Sequence, residues 1–365
     1  MNDDIKIAKD FTVGDWKKLR DSLFQNNNKD NWEKAFDVFN SRIESRFLNP
    51  INQIKLIDKN NGEGFSIAII SIVLLEFIAA FEIGKIYEHE AKGPQEYSSS
   101  AGLLKDFIRK SNIFNSRIDL SHVNNFYTNI RCGLVHEART KKSDVIISNR
   151  SIKNSNKKLF YFKDKGAYRL NRDLLLETII EHIKEYRIKI IEPGNEKYRK
   201  SFLMKIDEIA GLEYVWYFIY GSNLNNAQLN DRLKSLNDIH IMKIQCTLNN
   251  YVFKYNKKSI DGSAKANIEN KDGEKTEGIA ILILKSTLDK FHTEFEKGYD
   301  RKEVSVIYKE SIDTKDDSKN LYAITFISQS ITEAAPSNNY ISTVIKGAKE
   351  NGLSEKYIKE KLCLK

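Results

Sequence analysis

Apolar residues recur every three or four positions along the first half of the chain, which is the spacing of one buried helix face. The pattern predicts helices over 14–50, 101–113, 119–137 and 171–191. A further segment, 65–90, begins with an almost continuous apolar run and is also predicted to be helical. The first half of the chain is therefore predicted to be an all-α helical bundle.

Two short β-type runs interrupt this helical pattern. They are SDVIIS at 143–148 and KLFYFK at 158–163, and a polar stretch rich in Asn, Ser and Lys separates them. Two such runs around a polar connection predict a β-hairpin. Pro193-Gly194 follows the last helix of this half and is expected to end it, because proline and glycine are strong breakers of local structure.

After residue 213 the pattern changes to strands with helices between them. The β-type runs are YVWYFIY, IHIMKIQ, NYVFKYN, GIAILILK, EVSVIYK and LYAITFIS. Helices are predicted at 225–235, 286–296, 338–350 and 354–362. This mixture predicts an α+β, barrel-like domain.

A multidomain chain follows from this change of pattern. The length of 365 residues exceeds that of one typical domain. We expect a helical domain with a β-hairpin over 1–195, a connecting segment with a short helix over 196–212, and the α+β domain over 213–365.

Composition narrows the functional classes. Hydrophobic residues make up 41% and charged residues 30%, which is ordinary for a globular protein. The net charge of +9 is compatible with a polyanionic partner such as RNA, although a Lys-, Asn- and Ile-rich chain reaches this charge without one. Cys132, Cys246 and Cys363 form no Cys-x-x-Cys pair, which gives no support to zinc or thioredoxin-like sites.

Location is predicted from two segments. The N-terminal sequence MNDDIKIAKDF lacks the basic and apolar regions of a signal peptide. The apolar run at 65–84 is about as long as a bilayer span, but Glu76 and Glu82 would place carboxylates at bilayer depth, which is costly. We therefore expect a buried helix, no membrane partner and a cytoplasmic protein.

The run YFIYGSNL at 217–224 ends a predicted strand in a Gly-Ser-Asn turn before a predicted helix. Such a junction leaves backbone N–H groups unpaired, and these suit an anionic or carbonyl ligand. Ser222 and Asn223 are also good helix N-caps. By itself the run therefore also fits an ordinary capped helix start.

Three further stretches follow this run in order. They are NYVFKYNKKSIDGSAKANIEN (250–270), EGIAILILKSTLDKFHTEFEKGYDRKEVSV (277–306) and PSNNYISTVIKGAKENGLSEKYIKEKL (336–362). In this order and spacing the four segments resemble the γ-glutamylcyclotransferase family over roughly 214–363. The resemblance implies a small barrel-like α+β fold and the release of 5-oxoproline from a γ-glutamyl amide.

The resemblance also implies site residues. Those expected to bind the glutamyl substrate are Tyr220, Gly221, Ser222, Asn223, Leu224 and Tyr340. The expected catalytic carboxylate is Glu296, because Gly298-Tyr299-Asp300-Arg301 follows it as the family's Tyr and Arg do. Lys297 stands where the family usually has Gly, so Glu294 is a second candidate, and both carboxylates also fit a plain surface role.

The chemistry implied by this resemblance is intramolecular. The substrate's own α-amine attacks its γ-carbonyl, so the reaction needs positioning more than an external nucleophile. One carboxylate is sufficient to take a proton from the amine and return one to the leaving amine. The turn N–H groups would stabilise the oxyanion, and glycine would let the substrate approach the backbone.

IRCGLVHE at 130–137 places Arg131 and His136 five residues apart, late in a predicted helix. With the preceding Glu76-containing helix, this arrangement resembles the HEPN superfamily of helical bundles. Its signature is Arg-x-x-x-x-His, often with a polar residue after the Arg, where this chain has Cys132. The resemblance implies a homodimeric, metal-independent endoribonuclease. His136 would act as general base or acid, and Arg131 would stabilise the charged transition state.

Together the two resemblances imply a two-domain effector in a toxin or phage-defence context. Its expected partners are RNA and a small γ-glutamyl-type metabolite, and we expect no metal and no cofactor. Two alternatives stay open. One is a metabolic γ-glutamylcyclotransferase with a non-catalytic helical dimerisation module, and the other is a non-catalytic binding or scaffold protein.

Overall fold

The computed structural model describes residues 2–25, 28–59, 61–148, 158–163, 167–309 and 318–363. The chain divides into two compact units. The N-terminal unit comprises 1–91 and 95–211, and the C-terminal unit comprises 92–94 and 212–365.

The N-terminal unit is mostly helical, as the apolar periodicity predicts. Its helices are α1 (Val13–Gln25), α2 (Lys29–Ile43), α3 (Asn49–Leu56), α4 (Glu63–Ile83), α5 (Ser100–Lys110), α6 (Asn112–Arg117), α7 (Val123–Asn125), α8 (Cys132–Glu137), α9 (Arg172–Ile191) and α10 (Glu196–Ile209). Glu44–Leu48 and Phe126–Arg131 are π-helical, and Leu120–His122 is a 3-10 turn.

Helix α4 lies in the core of this unit and packs against α9 and α10. By length and composition alone this helix could cross a membrane, but 56% of its most apolar 18-residue stretch is buried inside the protein. Its two acidic side chains within the apolar run are both paired: Glu76 binds Arg131, and Glu82 binds His182. These partners explain why carboxylates occur in so apolar a helix, since a buried charge requires a partner.

Helix α10 belongs to the N-terminal unit, although 196–212 is predicted as a connecting segment. Its Phe202 is fully buried and lies in a cluster of aromatic rings from α2, α4 and α9. Its Asp207 is also fully buried and accepts hydrogen bonds from Trp16 Nε1 at 2.7 Å and Arg20 Nε at 2.8 Å, both on α1. This charged contact and the aromatic packing explain why the helix is not a linker.

Short strands accompany the helices in the described part of this unit: β1 (Lys6–Ala8), β2 (Phe11–Thr12), β3 (Ile86–Tyr87), β4 (Glu96–Tyr97), β5 (Val145–Ile147), β6 (Phe160–Lys163) and β7 (Ala167–Asn171). The predicted hairpin between 143–148 and 158–163 is wrong. Strand β7 lies between β5 and β6, parallel to β5 and antiparallel to β6. The AYRLN sequence of β7 is too short and too polar to predict a strand. The polar stretch 149–157 lies outside the described residues.

The C-terminal unit mixes strands and helices. Its elements are β8 (Tyr214–Ile219), α11 (Asn226–Ser235), β9 (Met242–Lys258), β10 (Ala264–Leu284), α12 (Lys285–Phe295), β11 (Asp300–Lys309), β12 (Ser318–Ile327), α13 (Asn338–Glu350) and α14 (Glu355–Tyr357). A 3-10 turn covers Ser222–Leu224, and Ile358–Leu362 is π-helical.

The strands β8 to β12 form a closed barrel in the order β10-β8-β12-β11-β9. Only the β8–β12 pair is parallel among these described strands. The runs IHIMKIQ and NYVFKYN are predicted as two strands, but the last four residues of the first run and all of the second lie in the single strand β9. Opposite it, β10 has an irregularity between Asn270 and Lys275, where the polar sequence KDGE is accommodated without ending the strand.

Candidate active site

Strand β8 leads directly into the Gly-Ser-Asn turn. After Gly221 the backbone forms a 3-10 turn, in which Leu224 N–H donates to Gly221 O at 2.9 Å. Asn225 then caps α11, since its side chain accepts the N–H of Gln228 at 3.0 Å. The first N–H groups of a helical turn have no partner within it. Those of Ser222 and Asn223 are therefore not used by the turn itself.

The C-terminal helix α13 supports this turn from outside. A Cβ added at Gly347 would overlap the carbonyl carbon of Leu224 and the nitrogen of Asn225, so only glycine permits this close approach. Asn351 Nδ2 donates to Leu224 O at 2.7 Å, and Glu350 Oε2 accepts the Asn226 N–H at 2.9 Å. The GAKEN sequence thus fixes the position of the turn.

Glu296 follows the last residue of α12 and is buried, with 9% of its surface exposed. Its Oε1 accepts hydrogen bonds from Asn223 Nδ2 at 2.6 Å and from Tyr217 OH at 3.4 Å. Arg232 Nη1 donates to Asn223 Oδ1 at 2.7 Å and lies 4.0 Å from Glu296 Oε1. The arginine therefore orients the amide that binds the carboxylate.

Burial raises the pKa of the Glu296 carboxyl to about 7. The charge of Arg232 and the hydrogen bonds from Asn223 and Tyr217 oppose this effect and favour the ionised form. A pKa close to the ambient pH lets one group accept and return a proton with little penalty in either direction. Glu296 is therefore suited to general acid–base work.

A pocket of about 190 Å³ opens beside Glu296. Its lining includes Tyr217, Tyr220, Gly221, Ser222, Asn223, Arg232, Lys257, Lys265, Tyr299 and Tyr340. A Cβ at Gly221 would lie 3.0 Å from the Ala266 side chain, so the glycine keeps the floor of the pocket open. Tyr340 OH accepts the Ala266 N–H at 3.0 Å, and Tyr299 OH donates to Ala266 O at 2.7 Å.

Basic side chains outnumber acidic ones around the pocket. Arg232, Lys257 and Lys265 line it, whereas Glu296 is its lining carboxylate. Lys257 Nζ lies 4.8 Å from the Tyr299 ring centroid and donates to Lys297 O at 3.0 Å. This excess of positive charge favours a substrate with an anionic group, such as a carboxylate.

Most of the residues predicted to bind substrate meet at this pocket. Tyr220, Gly221, Ser222, Asn223 and Tyr340 line it together with Glu296. Leu224 is fully buried and does not line the pocket; its carbonyl instead binds Asn351. Glu294 is exposed on α12, away from the lining, and Arg301 pairs with Asp289 at 2.7 Å.

The lining residues that the sequence did not predict include Tyr217, Arg232, Lys257 and Lys265. Arg232 lies one helical turn after Gln228 on α11, a spacing that would have placed both beside Asn223. Lys257 and Lys265 are direct partners across β9 and β10. That pairing depends on strand register, for which the sequence has no local signal.

An AIG2-like family model matches residues 285–361, which include Glu296 and Tyr340. Among solved structures, the chain is similar to a γ-glutamyl cyclotransferase (23% identity, 40% of this chain and 86% of that chain, TM-score 0.34). It is also similar to an uncharacterised protein, loc79017, from Homo sapiens (24%, 40% and 86%, TM-score 0.34). A third is YkqA from Bacillus subtilis (21%, 44% and 56%, TM-score 0.34). A search of curated proteins gave no match.

The family match supports an AIG2-like fold in the C-terminal region, where the sequence predicts a γ-glutamylcyclotransferase-type fold. No comparison tests the HEPN resemblance of the N-terminal unit, which stays a prediction. Among the described residues, no group of three or more His, Cys, Asp or Glu side chains is arranged to hold a metal ion.

The structure brings Arg131 and His136 into contact, with Nη1 and Nε2 3.4 Å apart. Glu76 binds the other edge of the guanidinium, with Nε–Oε1 at 2.6 Å and Nη2–Oε2 at 3.0 Å. This paired hydrogen bond raises the pKa of Arg131 further above its ordinary value. His136 is exposed and the neighbouring Cys132 is partly buried, so the pair lies at the protein surface.

Proposed function

We propose that the C-terminal unit is a γ-glutamylcyclotransferase that releases 5-oxoproline from a small γ-glutamyl amide. The observation that carries this proposal is the buried Glu296, 2.6 Å from Asn223, at a pocket whose floor is the Gly221–Asn223 turn. The pocket volume of about 190 Å³ also supports it. That volume is below the roughly 300–1,000 Å³ of sites for drug-sized ligands, so it suits a small acyl group.

In the proposed reaction, the γ-carbonyl oxygen faces the N–H groups of the turn and the α-amine faces Glu296. The carboxylate removes a proton from the amine, whose nitrogen attacks the γ-carbonyl carbon and closes a five-membered ring. The turn N–H groups stabilise the resulting oxyanion. Glu296 then returns the proton to the leaving nitrogen as the C–N bond breaks, giving 5-oxoproline and a free amine.

The surrounding polar residues have separate roles in this proposal. Asn223 binds Oε1 of Glu296, which leaves Oε2 for the substrate amine. Arg232 holds the Asn223 amide and contributes positive charge. Lys257 lines the pocket without an ion-pair partner among the described residues, and we assign it to the α-carboxylate of the glutamyl group.

The test is 5-oxoproline release from γ-glutamyl-alanine by the purified full chain, followed by mass spectrometry. Glu296→Gln keeps an oxygen acceptor for Asn223 but has no base, so it should be inactive. Glu294→Gln, two residues away and exposed, is the matched control and should retain activity. Release by Glu296→Gln at the wild-type rate would refute the assignment.

A second candidate function concerns the N-terminal unit, and the Arg131–His136 contact favours it. We propose metal-independent RNA cleavage in a homodimer, in which the RNA 2′-hydroxyl attacks the adjacent phosphate. His136 transfers the proton, and Arg131 stabilises the charge on the phosphate. Both proposed substrates are cytoplasmic, and we place the protein there.

Cleavage of a mixed RNA and tRNA pool without added metal tests this second candidate. We expect 2′,3′-cyclic phosphate ends with the wild type and none with His136→Ala. His89→Ala is the matched control, since His89 is exposed and outside this pair. If the wild type leaves the RNA intact, a binding or dimerisation role for this unit replaces the nuclease role.

A further inference from the structure

A second, larger cavity lies within the N-terminal unit. It has a volume of about 720 Å³ and is lined by residues of α4, α5, α9 and α10. This volume falls in the range of small-molecule sites. Neither Arg131 nor His136 is among the residues that line it. The cavity is therefore separate from both sites considered above.

Three polar side chains at this cavity form a hydrogen-bonded chain. His182 is only 2% exposed, and its Nδ1 lies 3.2 Å from Ser111 Oγ. Its Nε2 lies 3.0 Å from Glu82 Oε1. Lys189 Nζ also lies 3.4 Å from that carboxylate oxygen. All four residues line the cavity, so the chain of contacts is open to a ligand.

The Glu82 carboxylate lies at the end of these hydrogen-bonded contacts. Burial alone would raise the pKa of its carboxyl, but the hydrogen bonds and charges of His182 and Lys189 hold that pKa below its ordinary value. Nε2 faces this carboxylate and donates a proton to it in the hydrogen bond. In the tautomer that carries its proton on Nε2, Nδ1 accepts the hydrogen bond of the Ser111 hydroxyl.

We propose that Ser111 is an acyl-transfer nucleophile, with His182 as its base and Glu82 as the group that orients the base. The order hydroxyl, imidazole, carboxylate is the one that activates serine nucleophiles. Here Nδ1 faces the serine and Nε2 faces the carboxylate, whereas in serine proteases Nε2 faces the serine. Either ring nitrogen is able to accept a proton. Ser111 Oγ also accepts the Phe114 N–H at 3.4 Å, which leaves one lone pair for attack.

The reaction runs in two balanced steps. Ser111 Oγ attacks the ester carbonyl carbon, its proton passes to His182 Nδ1, and His182 gives that proton to the alkoxide as the C–O bond breaks. An acyl-serine and an alcohol result. Water then attacks the acyl-serine with the same base, which releases the carboxylic acid and restores the hydroxyl.

The other lining residues indicate the class of ester. Lys85, Lys110 and Lys197 line the cavity, and within the described part of the chain they have no carboxylate partner. The lining carboxylates besides Glu82 are Asp106, which is paired with Arg109 at 3.6 Å, and Glu185, so the four lining lysines outnumber the three lining carboxylates. Apolar surface is contributed by Phe107 and other aromatic and aliphatic side chains. The cavity therefore suits a small carboxylic ester that has an apolar body and an anionic group.

Covalent labelling of the full chain with a fluorophosphonate tests the nucleophile. Mass spectrometry of the digested protein should locate the adduct on Ser111 in native protein and find none in heat-unfolded protein. Ser111→Ala should abolish labelling, whereas Ser99→Ala, which removes another hydroxyl from the same lining, should not. His182→Gln should slow labelling about 100-fold, the usual contribution of a positioned base.

If native wild type has no adduct, or has one only on another residue, the proposal is overturned, and this conclusion needs no variant.

Turnover of 4-nitrophenyl esters tests the ester class. We expect the succinate monoester to react about tenfold faster than the acetate, and Lys197→Gln to remove this preference. Lys184→Gln, exposed on α9 and outside the lining, should keep it. Labelling of Ser111 is measured separately from 5-oxoproline release, so failure here is distinct from failure of the cyclotransferase.

Discussion

The side-chain amide of Asn223 donates to Oε1 of Glu296 at 2.6 Å, and both residues are buried. The amide belongs to the turn after the first barrel strand, and the carboxylate follows helix α12. The contact therefore joins residues 73 positions apart in the chain. It ties the proposed base to the turn that faces the proposed substrate, so a change in either residue should affect both.

Glu296→Gln should reduce 5-oxoproline release by about 100-fold to 10,000-fold, because a positioned acid–base group contributes about that much. The measurement is kcat/KM with a γ-glutamyl amide. Glu294→Gln should stay within a factor of about two of wild type, since its side chain is exposed on α12. Equal losses in both variants would contradict the choice of base.

The rate should depend on pH through the ionisation of Glu296. Because its pKa is about 7, kcat/KM should rise as the pH increases through about 7 and the carboxylate ionises. Asn223→Ala removes a hydrogen bond that favours the ionised form, so the acidic limb should move to higher pH. The profile of Glu294→Gln should coincide with that of the wild type, and an unshifted limb in Asn223→Ala would count against the contact.

The same carboxyl should make folding stability depend on pH. Its pKa rises from 4.5 to about 7 on folding, so the folded state favours the protonated form. This contribution is fully present below pH 4.5 and is lost as the pH rises through 7. Glu296→Gln should therefore unfold at higher urea concentration than wild type above about pH 7, by on the order of 1 kcal/mol per pKa unit. The gain in stability should vanish near pH 4. A gain seen only at acidic pH would mean that folding lowers the pKa of Glu296, contrary to this prediction.

Gly347→Ala should damage the substrate turn from outside the pocket. The added methyl group overlaps the backbone of Leu224 and Asn225, so the turn must move. We expect a loss of about 1–3 kcal/mol of stability, as for other overpacked sites, and a raised KM. Gly102→Ala, in a helix where the new Cβ meets nothing within 4 Å, is the control and should be neutral or stabilising. A neutral Gly347→Ala would mean that the turn is not fixed by this contact.

Asp207→Ala should destabilise the N-terminal unit strongly. It leaves Arg20, which is 4% exposed, as a buried charge without this partner, and it removes the acceptor for Trp16 Nε1. Loss of one member of a buried ion pair costs about 3–5 kcal/mol. Asp3→Ala breaks an exposed pair with Lys17 and should be far less destabilising, because exposed ion pairs contribute little to stability. Thermal unfolding of the two variants compares the effects directly.

The candidate site was predictable where its residues lie in continuous motifs. The Gly221–Asn223 turn and Glu296 were identified from short stretches of sequence, and the structure brings them to one pocket. Lys257 and Lys265 were not, because they meet through pairing between two long strands. Residues that converge through strand register leave no periodic trace along the chain.

The fold shows the same division. Helices with regular apolar spacing were predicted, and so was the mixed character of the barrel region. Strand β7 was missed because its five residues carry little alternation, and its insertion between β5 and β6 replaced the expected hairpin. Helix α10 was assigned to a linker because its sequence is mostly polar. The burial of Phe202 and Asp207 depends on partners that lie far away in sequence.

Helix α4 has a consequence for how this protein is made. Its covering helices α9 and α10 begin at residues 172 and 196, so the ribosome delivers them well after α4. Until then, the nascent chain exposes an apolar segment that has the length and hydropathy of a membrane-spanning helix. During that interval, chaperones and membrane-targeting factors compete with folding for the same stretch. Slowing translation between residues 84 and 172 should increase the share of nascent chains captured at a membrane.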